Sequence, residues 1–236
     1  MKNQYWGDIN DYRLYGLLRV LIGPSELRTA VCWMLTPDDD GGDGGFTDYL
    51  SHPQRWRQFD PELFDLLSDL VSQGLRDVRG LEESGLLPSC RFHKELLTDD
   101  REDRSRSFQS FWELAKDCDL VFFDPDNGME VQSKPEGRKD SSKYLYWHEL
   151  EHAYSVDYSV LVFQYFPRVN RKVFIERLAG ELSVRTSAPV VYSFQTPRFA
   201  CFLLPSDAHA EALARRAWTV SDVWGDQILV LQHGAV

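Results

Sequence analysis

The spacing of apolar residues changes period repeatedly along the chain. Leu14, Leu17, Leu18 and Leu21 recur at helical intervals behind Asp8, a capping residue type, with Asp11 in the first turn and Gly23-Pro24 as the stop. Residues 29–35 (TAVCWML) are instead a short continuous apolar run, which predicts a buried strand. The acidic, glycine-rich stretch Thr36-Pro37-Asp38-Asp39-Asp40, Gly41-Gly42-Asp43-Gly44-Gly45 predicts a loop. Asp60-Pro61 opens a second helix carrying Leu63, Leu66, Leu67, Leu70 and Val71. A weak strand is expected over 90–97, a charged turn over 99–106, and a third helix on Phe108, Phe111, Trp112 and Ala115.

The centre is patterned most sharply. Asp119-Leu120-Val121-Phe122-Phe123 predicts a buried strand that ends abruptly in Asp124-Pro125-Asp126-Asn127-Gly128. A polar loop is expected to run to Lys143, followed by a helix over 143–153. Residues 158–166 (YSVLVFQYF) predict a second buried strand stopped by Pro167-Arg168, and Asn170 caps a helix reaching about Leu182. Residues 190–194 and 199–204 flank Gln195-Thr196-Pro197-Arg198 as a hairpin, and an alanine-rich helix covers 207–218. Strands alternating with helices and a closing hairpin predict an α/β, Rossmann-like fold. Its sheet is mostly parallel, with helices on both faces and a C-terminal antiparallel hairpin. With no repeat and no linker, residues 1–236 read as one domain.

Composition narrows the partners. The chain is 43% hydrophobic, enough for an extensive core, and 37 acidic against 26 basic residues leave a net charge of −11. That balance argues against a general nucleic-acid binder, while leaving room for a local basic patch. No apolar run approaches a membrane span, and the start Met1-Lys2-Asn3-Gln4 has no signal-peptide core. Cys32, Cys90, Cys118 and Cys201 are far apart and beside apolar residues, so they are expected to be reduced core thiols of a cytoplasmic protein, with no metal site.

Ligands of open parallel sheets bind beyond the carboxyl ends of the strands, which singles out Asp124, Asp126 and Asn127 as candidate catalytic groups. The alternative is a strand-to-helix turn in which these side chains bond to backbone. Gln164 and Arg168 leave the neighbouring strand and are candidate substrate-binding residues; Arg168 could equally pair with Asp126. The basic stretch 134–143 could close over the crevice on an anionic substrate, or simply be solvated.

The run DLVFFDPDNG resembles the fourth motif of class I S-adenosylmethionine-dependent methyltransferases, an apolar strand followed by (D/N/S)-P-P-(Y/F/W). The layout of helix, first strand with a Gly- and Asp-rich loop, central strand and closing hairpin is similar as well. The resemblance implies that Asp124 and its neighbours face a target amine and the methyl of S-adenosylmethionine. The opening GDINDYRLYGLLR resembles a helix that lines the cofactor pocket in some members. Asp8, Asp11, Tyr12, Thr36 and Asp38 are accordingly the expected cofactor-binding residues. Asp126 and Asn127 stand where the motif has its second proline and aromatic, and no E/D-x-G-x-G-x-G follows the first strand. The opening and DPDNG also resemble an uncharacterised bacterial family.

The expected activity is methyl transfer to an amine of a small molecule or of a nucleic-acid base. A non-catalytic binding fold of the same architecture is the alternative. Two rival chemistries use other features. Asp124 and Asp126 match the D-x-D of haloacid-dehalogenase-like phosphatases, which share a magnesium ion between two carboxylates. His148-Glu149-Leu150-Glu151-His152 is a literal zincin HExxH, with Glu176 or Glu181 as third ligand and Glu149 as base. A solvated helix face is the plainer expectation there.

Overall fold

The computed structural model describes residues 1–24, 27–38 and 45–234. Residues 39–44, most of the acidic, glycine-rich stretch, lie outside the described residues. The chain opens with α1 (Ile9–Ile22), capped by Asp8, whose carboxylate accepts the backbone N–H groups of Asn10 and Asp11. It continues through β1 (Thr29–Cys32), α2 (Pro53–Trp56), α3 (Pro61–Ser72), α4 (Arg79–Glu83), β2 (Cys90–His93) and α5 (Arg101–Ala115). The central part is β3 (Leu120–Phe123), β4 (Gly128–Met129), β5 (Tyr144–Leu145), α6 (Trp147–Ser155), β6 (Ser159–Tyr165) and α7 (Arg171–Thr186). The chain closes with β7 (Val190–Gln195), β8 (Phe199–Leu204), α8 (Ala210–Trp224) and β9 (Leu229–Gly234).

Seven strands form one sheet in the order β2-β1-β3-β6-β8-β7-β9. The pairs β1–β2, β1–β3 and β3–β6 are parallel, whereas β8 runs antiparallel to both β6 and β7, and β9 antiparallel to β7. The expected architecture is therefore present: a mostly parallel sheet flanked by helices, with antiparallel C-terminal strands.

Strand side chains alternate between the two faces, and helices cover both, so the central strands β1, β3, β6 and β8 are buried on both sides and read as continuous apolar runs. Val31, Leu120, Phe122, Leu161 and Phe163 join α1, α3 and α8 in one core cluster. Ala30, Cys32, Val121, Phe123, Val160 and Val162 join α5, α6 and α7 in the other. Gly16 lets α1 and α8 approach closely, because a Cβ there would overlap the Trp224 indole. All four cysteines are free thiols, and three of them are buried. No helix among the described residues is long and apolar enough to cross a membrane.

Several elements depart from the sequence expectation. The charged segment expected as a turn over 99–106 is the start of α5: Asp100 caps it, and Glu102 and Asp103 occupy its first turn. Acidic groups are favourable at that end of a helix, so a charged run there is consistent with helix. The polar loop connects β4 and β5, a two-stranded parallel ribbon too short to leave a periodic signature. The helix expected from Lys143 begins only at Trp147, after β5. The final strand β9 was not expected; Leu229 and Leu231 are exposed and Val230 is buried, the alternation of an edge strand.

Candidate functional site

The chain runs from β1 to β2 on one side and then crosses to β3 on the other, so the strand order reverses between β1 and β3. Crevices that open at such reversals are the usual ligand sites of open α/β sheets. Thr36, four residues beyond β1, donates its hydroxyl to Asp126 Oδ2 at 2.8 Å and so ties the two loops together across the reversal. Asp126 Oδ1 lies 3.1 Å from the Met1 α-ammonium. The same ammonium donates to the carbonyls of Met34 (3.2 Å) and Asp124 (3.1 Å). Two carbonyls and a carboxylate thus form a buried cradle around a nitrogen.

Asp124 follows β3 directly, and its backbone N–H donates to the Cys32 carbonyl at 3.0 Å. Its side chain is enclosed, and Oδ2 has no hydrogen-bond partner. Burial pushes its pKa up to about 7; the charge of Asp126 acts in the same direction and the Met1 ammonium against it. The first turn of α1 packs on this group. Asp11 is buried, accepts the Gly7 N–H at 2.9 Å, and is held well above the carboxylate range by burial and by the charges of Asp8 and Asp124. Asp8 is raised as well, chiefly by burial. Tyr15 and Tyr165 are pushed upward by burial and by these carboxylates. The Tyr15 hydroxyl and Asn10 Oδ1 are buried without partners. Orphaned polar atoms are rare in native interiors, and several in one neighbourhood mark a place for a ligand, a water or a proton transfer.

A gap of about 20 Å³ lies between Met1, Asp11, Leu14, Asp124 and Phe163, enough for one water-sized group. Beyond it opens a cleft of about 370 Å³ lined by Tyr5, Asp8, Asn10, Phe46, Asn127 and Arg198. A second cleft of about 300 Å³ lies on the other side of Asn127 and Tyr165, walled by Tyr144, Trp147, Phe166 and Phe174. Asn127 therefore stands between two clefts, and no hydrogen bond engages its side-chain amide among the described residues.

The turn carrying these groups is braced from β6. Gln164 accepts the Met129 N–H through Oε1 (2.8 Å) and donates through Nε2 to the carbonyls of Asn127 (3.1 Å) and Tyr165 (2.7 Å). Its amide is committed to backbone, so Gln164 positions the turn. Gly128 sits at φ 115°, where side chains are strained, and a Cβ there would overlap the Gln164 amide.

The sequence-predicted residues separate accordingly. Asp8, Asp11, Thr36, Asp124, Asp126 and Asn127 converge on the crevice. Tyr12 does not: it is fully enclosed between Tyr49, Phe64 and Trp224, and its hydroxyl donates to the Trp56 carbonyl at 2.8 Å. Asp38 is exposed and accepts the Gln4 N–H at 3.1 Å. Arg168 is exposed on the rim and does not pair with Asp126, whose partners are Met1 and Thr36.

The basic stretch is tied to acidic partners, and its end at Lys143 lines the wider cleft. Lys134 bonds Asp140 at 2.7 Å, Lys143 lies 3.4 Å from it, and Asp99 accepts the N–H groups of Asp140 and Ser142, each at 2.8 Å. Sequence reasoning missed Asn10, Tyr15 and Tyr165. The signal for Tyr15 was present, since Asp8, Asp11 and Tyr15 share one helical face at i, i+3 and i+7.

The HExxH motif lies on α6, but Glu149 is enclosed in a bidentate pair with Arg104 (2.6 and 2.7 Å) and also accepts the Tyr146 N–H. His152 packs edge-on against Trp112. No group of three or more His, Cys, Asp or Glu that could hold a metal occurs among the described residues.

No family model and no curated protein matches the chain. Among solved structures, the chain is similar to the crystal structure of a protein from Legionella pneumophila str. Philadelphia 1 described as family-model DUF519. The TM-score is 0.48 and the sequence identity 11%, over 97% of this chain and 98% of that one.

Proposed function

We propose that the crevice between β1 and β3 transfers a methyl group from S-adenosylmethionine to an amine. The observation that carries this reading is the cradle at Asp124. The Met1 α-ammonium is held there by the Met34 and Asp124 carbonyls and the Asp126 carboxylate, beside a carboxylate with a free oxygen and a pKa of about 7, and a target amine that displaces it would meet the same acceptors.

The residues present fit the cofactor. Asp8 and the unsatisfied Asn10 Oδ1 suit its ammonium and hydroxyl groups, and Tyr5 and Phe46 offer rings to its base along the wider cleft. A sulfonium beside Asp8, Asp11 and Asp124 would favour the ionised forms that burial disfavours. When bound, S-adenosylmethionine supplies an electrophilic methyl group. The acceptor carbonyls orient the target N–H bonds, so that the nitrogen lone pair points away from them. Asp124, half-ionised near neutrality, takes the proton that the nitrogen releases on alkylation. The acceptor amine is that of a small molecule or a nucleic-acid base.

Calorimetric titration of S-adenosylmethionine and S-adenosylhomocysteine, with magnesium and zinc as separate titrants, tests this proposal. Micromolar cofactor binding is expected, weakened at least tenfold in Asp8→Ala. In Asp124→Asn binding should persist while methyl transfer is lost. Magnesium binding with phosphate-ester hydrolysis would replace this reading by the paired-carboxylate phosphatase. Tight zinc lost in His148→Ala would replace it by the HExxH chemistry. Silence from every titrant would leave a non-catalytic binding fold.

A further inference from the structure

We propose that the rim of the site, between the end of β6, the start of α7 and the β7–β8 turn, binds a phosphate group of the substrate through Arg168, Arg171 and Arg198. These residues line an open cleft of about 880 Å³ together with Tyr165, Phe166 and Asn170, and no carboxylate among the described residues lines it. In a chain of net charge −11 that absence is informative. Several exposed arginines elsewhere hold carboxylates, among them Arg57 with Asp65 and Arg215 with Glu211, each at 2.7 Å, and Arg28 with Asp119 at 2.9 Å. Among the described residues none of the three rim arginines does. No carboxylate among the described residues uses their charges, which leaves them for a bound anion.

Two of the guanidinium groups also sit over aromatic rings. Arg171 stacks over the Phe166 ring at 5.0 Å and Arg198 over Phe46 at 4.1 Å. A guanidinium seated over a ring loses less freedom on binding than one on an unsupported stem. The backbone beneath is fixed. Phe166 N–H donates to the Arg198 carbonyl, and Thr196 Oγ1 accepts the N–H groups of Arg198 and Phe199 within the turn. Three planar cations on a rigid rim suit the tetrahedral oxygens of a phosphate, which accept bidentate hydrogen bonds. A lone carboxylate would leave most of the donors unused. The Asn170 side chain already caps Val173 N–H at 3.2 Å, so the arginines carry the recognition and the helix end does not.

The rim connects with the crevice through Tyr165, which lines this cleft, the cofactor-sized cleft and the gap at Asp124. A phosphate held by the arginines therefore directs the remainder of its ligand along Tyr165 toward Asn127. This proposal rests on the methyl-transfer reading for the fate of the ligand, and on the arginines alone for its binding.

Fluorescence anisotropy of a labelled short single-stranded oligonucleotide with the full-length protein, at low salt and without cofactor, tests it. A mononucleotide and inorganic pyrophosphate serve as competitors. Binding is expected to weaken about tenfold or more in the double variant Arg168→Gln/Arg198→Gln and to be unchanged in Arg215→Gln. The log–log salt slope should fall by about 0.7 for each arginine removed that contacts the strand. Competition by the mononucleotide assigns the rim to a terminal phosphate, and resistance to it assigns the rim to a phosphodiester chain; both outcomes support the site. Failure of all three phosphate compounds to bind, or equal affinity of the double variant and the wild type, overturns it. Asp124→Asn should bind as wild type does, so loss of methyl transfer and loss of phosphate binding are read separately.

Discussion

Two buried charge clusters lie in this molecule, and they are built in opposite ways. At α5–α6, the Arg104 guanidinium bonds both oxygens of Glu149 and the Tyr144 carbonyl, and stacks on Phe108 and Tyr146. Opposite charges meet there and the carboxylate is fully engaged. At β1–β3, Asp8, Asp11 and Asp124 crowd together with their pKa values raised, Asp124 Oδ2 and the Tyr15 hydroxyl lack partners, and the α-ammonium is held at Asp126. The first cluster spends its charges on the fold. The second leaves them unspent in a crevice, which is the arrangement that chemistry needs. The HExxH spelling pointed to the first cluster and the strand-end aspartates to the second.

The largest expected effect breaks the paired cluster. Glu149→Gln leaves Arg104 buried without its counter-charge and should cost about 3–5 kcal/mol of stability, read from urea unfolding at neutral pH. Cofactor affinity measured where the variant remains folded should be unaltered. If the variant is as stable as wild type, the two clusters do not differ in the way described.

Asp124→Asn is expected to act in the other direction. The folded protein favours protonated Asp124, so this group's contribution is fully present below the ordinary carboxylate range and is lost as pH rises through about 7. Wild-type stability should therefore fall across that window by on the order of 1 kcal/mol per pH unit from this group. The neutral amide removes that component, making the variant equal or superior in stability above neutrality, while the proposed methyl transfer should be lost. A pH series of unfolding midpoints for the two proteins measures the difference, and parallel curves would refute the raised pKa.

Gly128→Ala tests the scaffold beneath the site. Its positive φ and the Gln164 amide both oppose a methyl group, so about 1–3 kcal/mol should be lost. Ligand affinity should fall with it, since Asn127 moves with the turn. Thr36→Val sharpens the comparison with the smallest change. Losing the 2.8 Å bond to buried Asp126 should cost about 1–2 kcal/mol and weaken cofactor binding several-fold, as measured by calorimetry. An unchanged affinity would detach the β1 loop from the site.

The legible parts of the molecule were those where local chemistry and tertiary role coincide. Capping by Asp8, the apolar stripe of α1, and the abrupt change from Phe123 to Asp124 are all encoded within a few residues. They gave the strands, most helices and the position of the crevice. Asp126 and Thr36 were also identifiable, because both follow strand ends. Tyr12 and Asp38 were not separable from true lining residues. Tyr12 lies one position from Asp11, yet a step of about 100° around the helix turns it into the core against Trp224.

What the sequence by itself determined is the architecture and the place of the crevice, since hydrophobic period and strand-end polarity are local properties. What only the tertiary structure decided is which charges find partners. Glu149 meets Arg104 from 45 residues away, Thr36 meets Asp126 across 90, and the rim arginines meet no carboxylate among the described residues. Such pairings depend on which strands become neighbours, and that order is fixed by packing of the whole sheet. A charge therefore acquires its role, structural or chemical, only once the chain has closed around it.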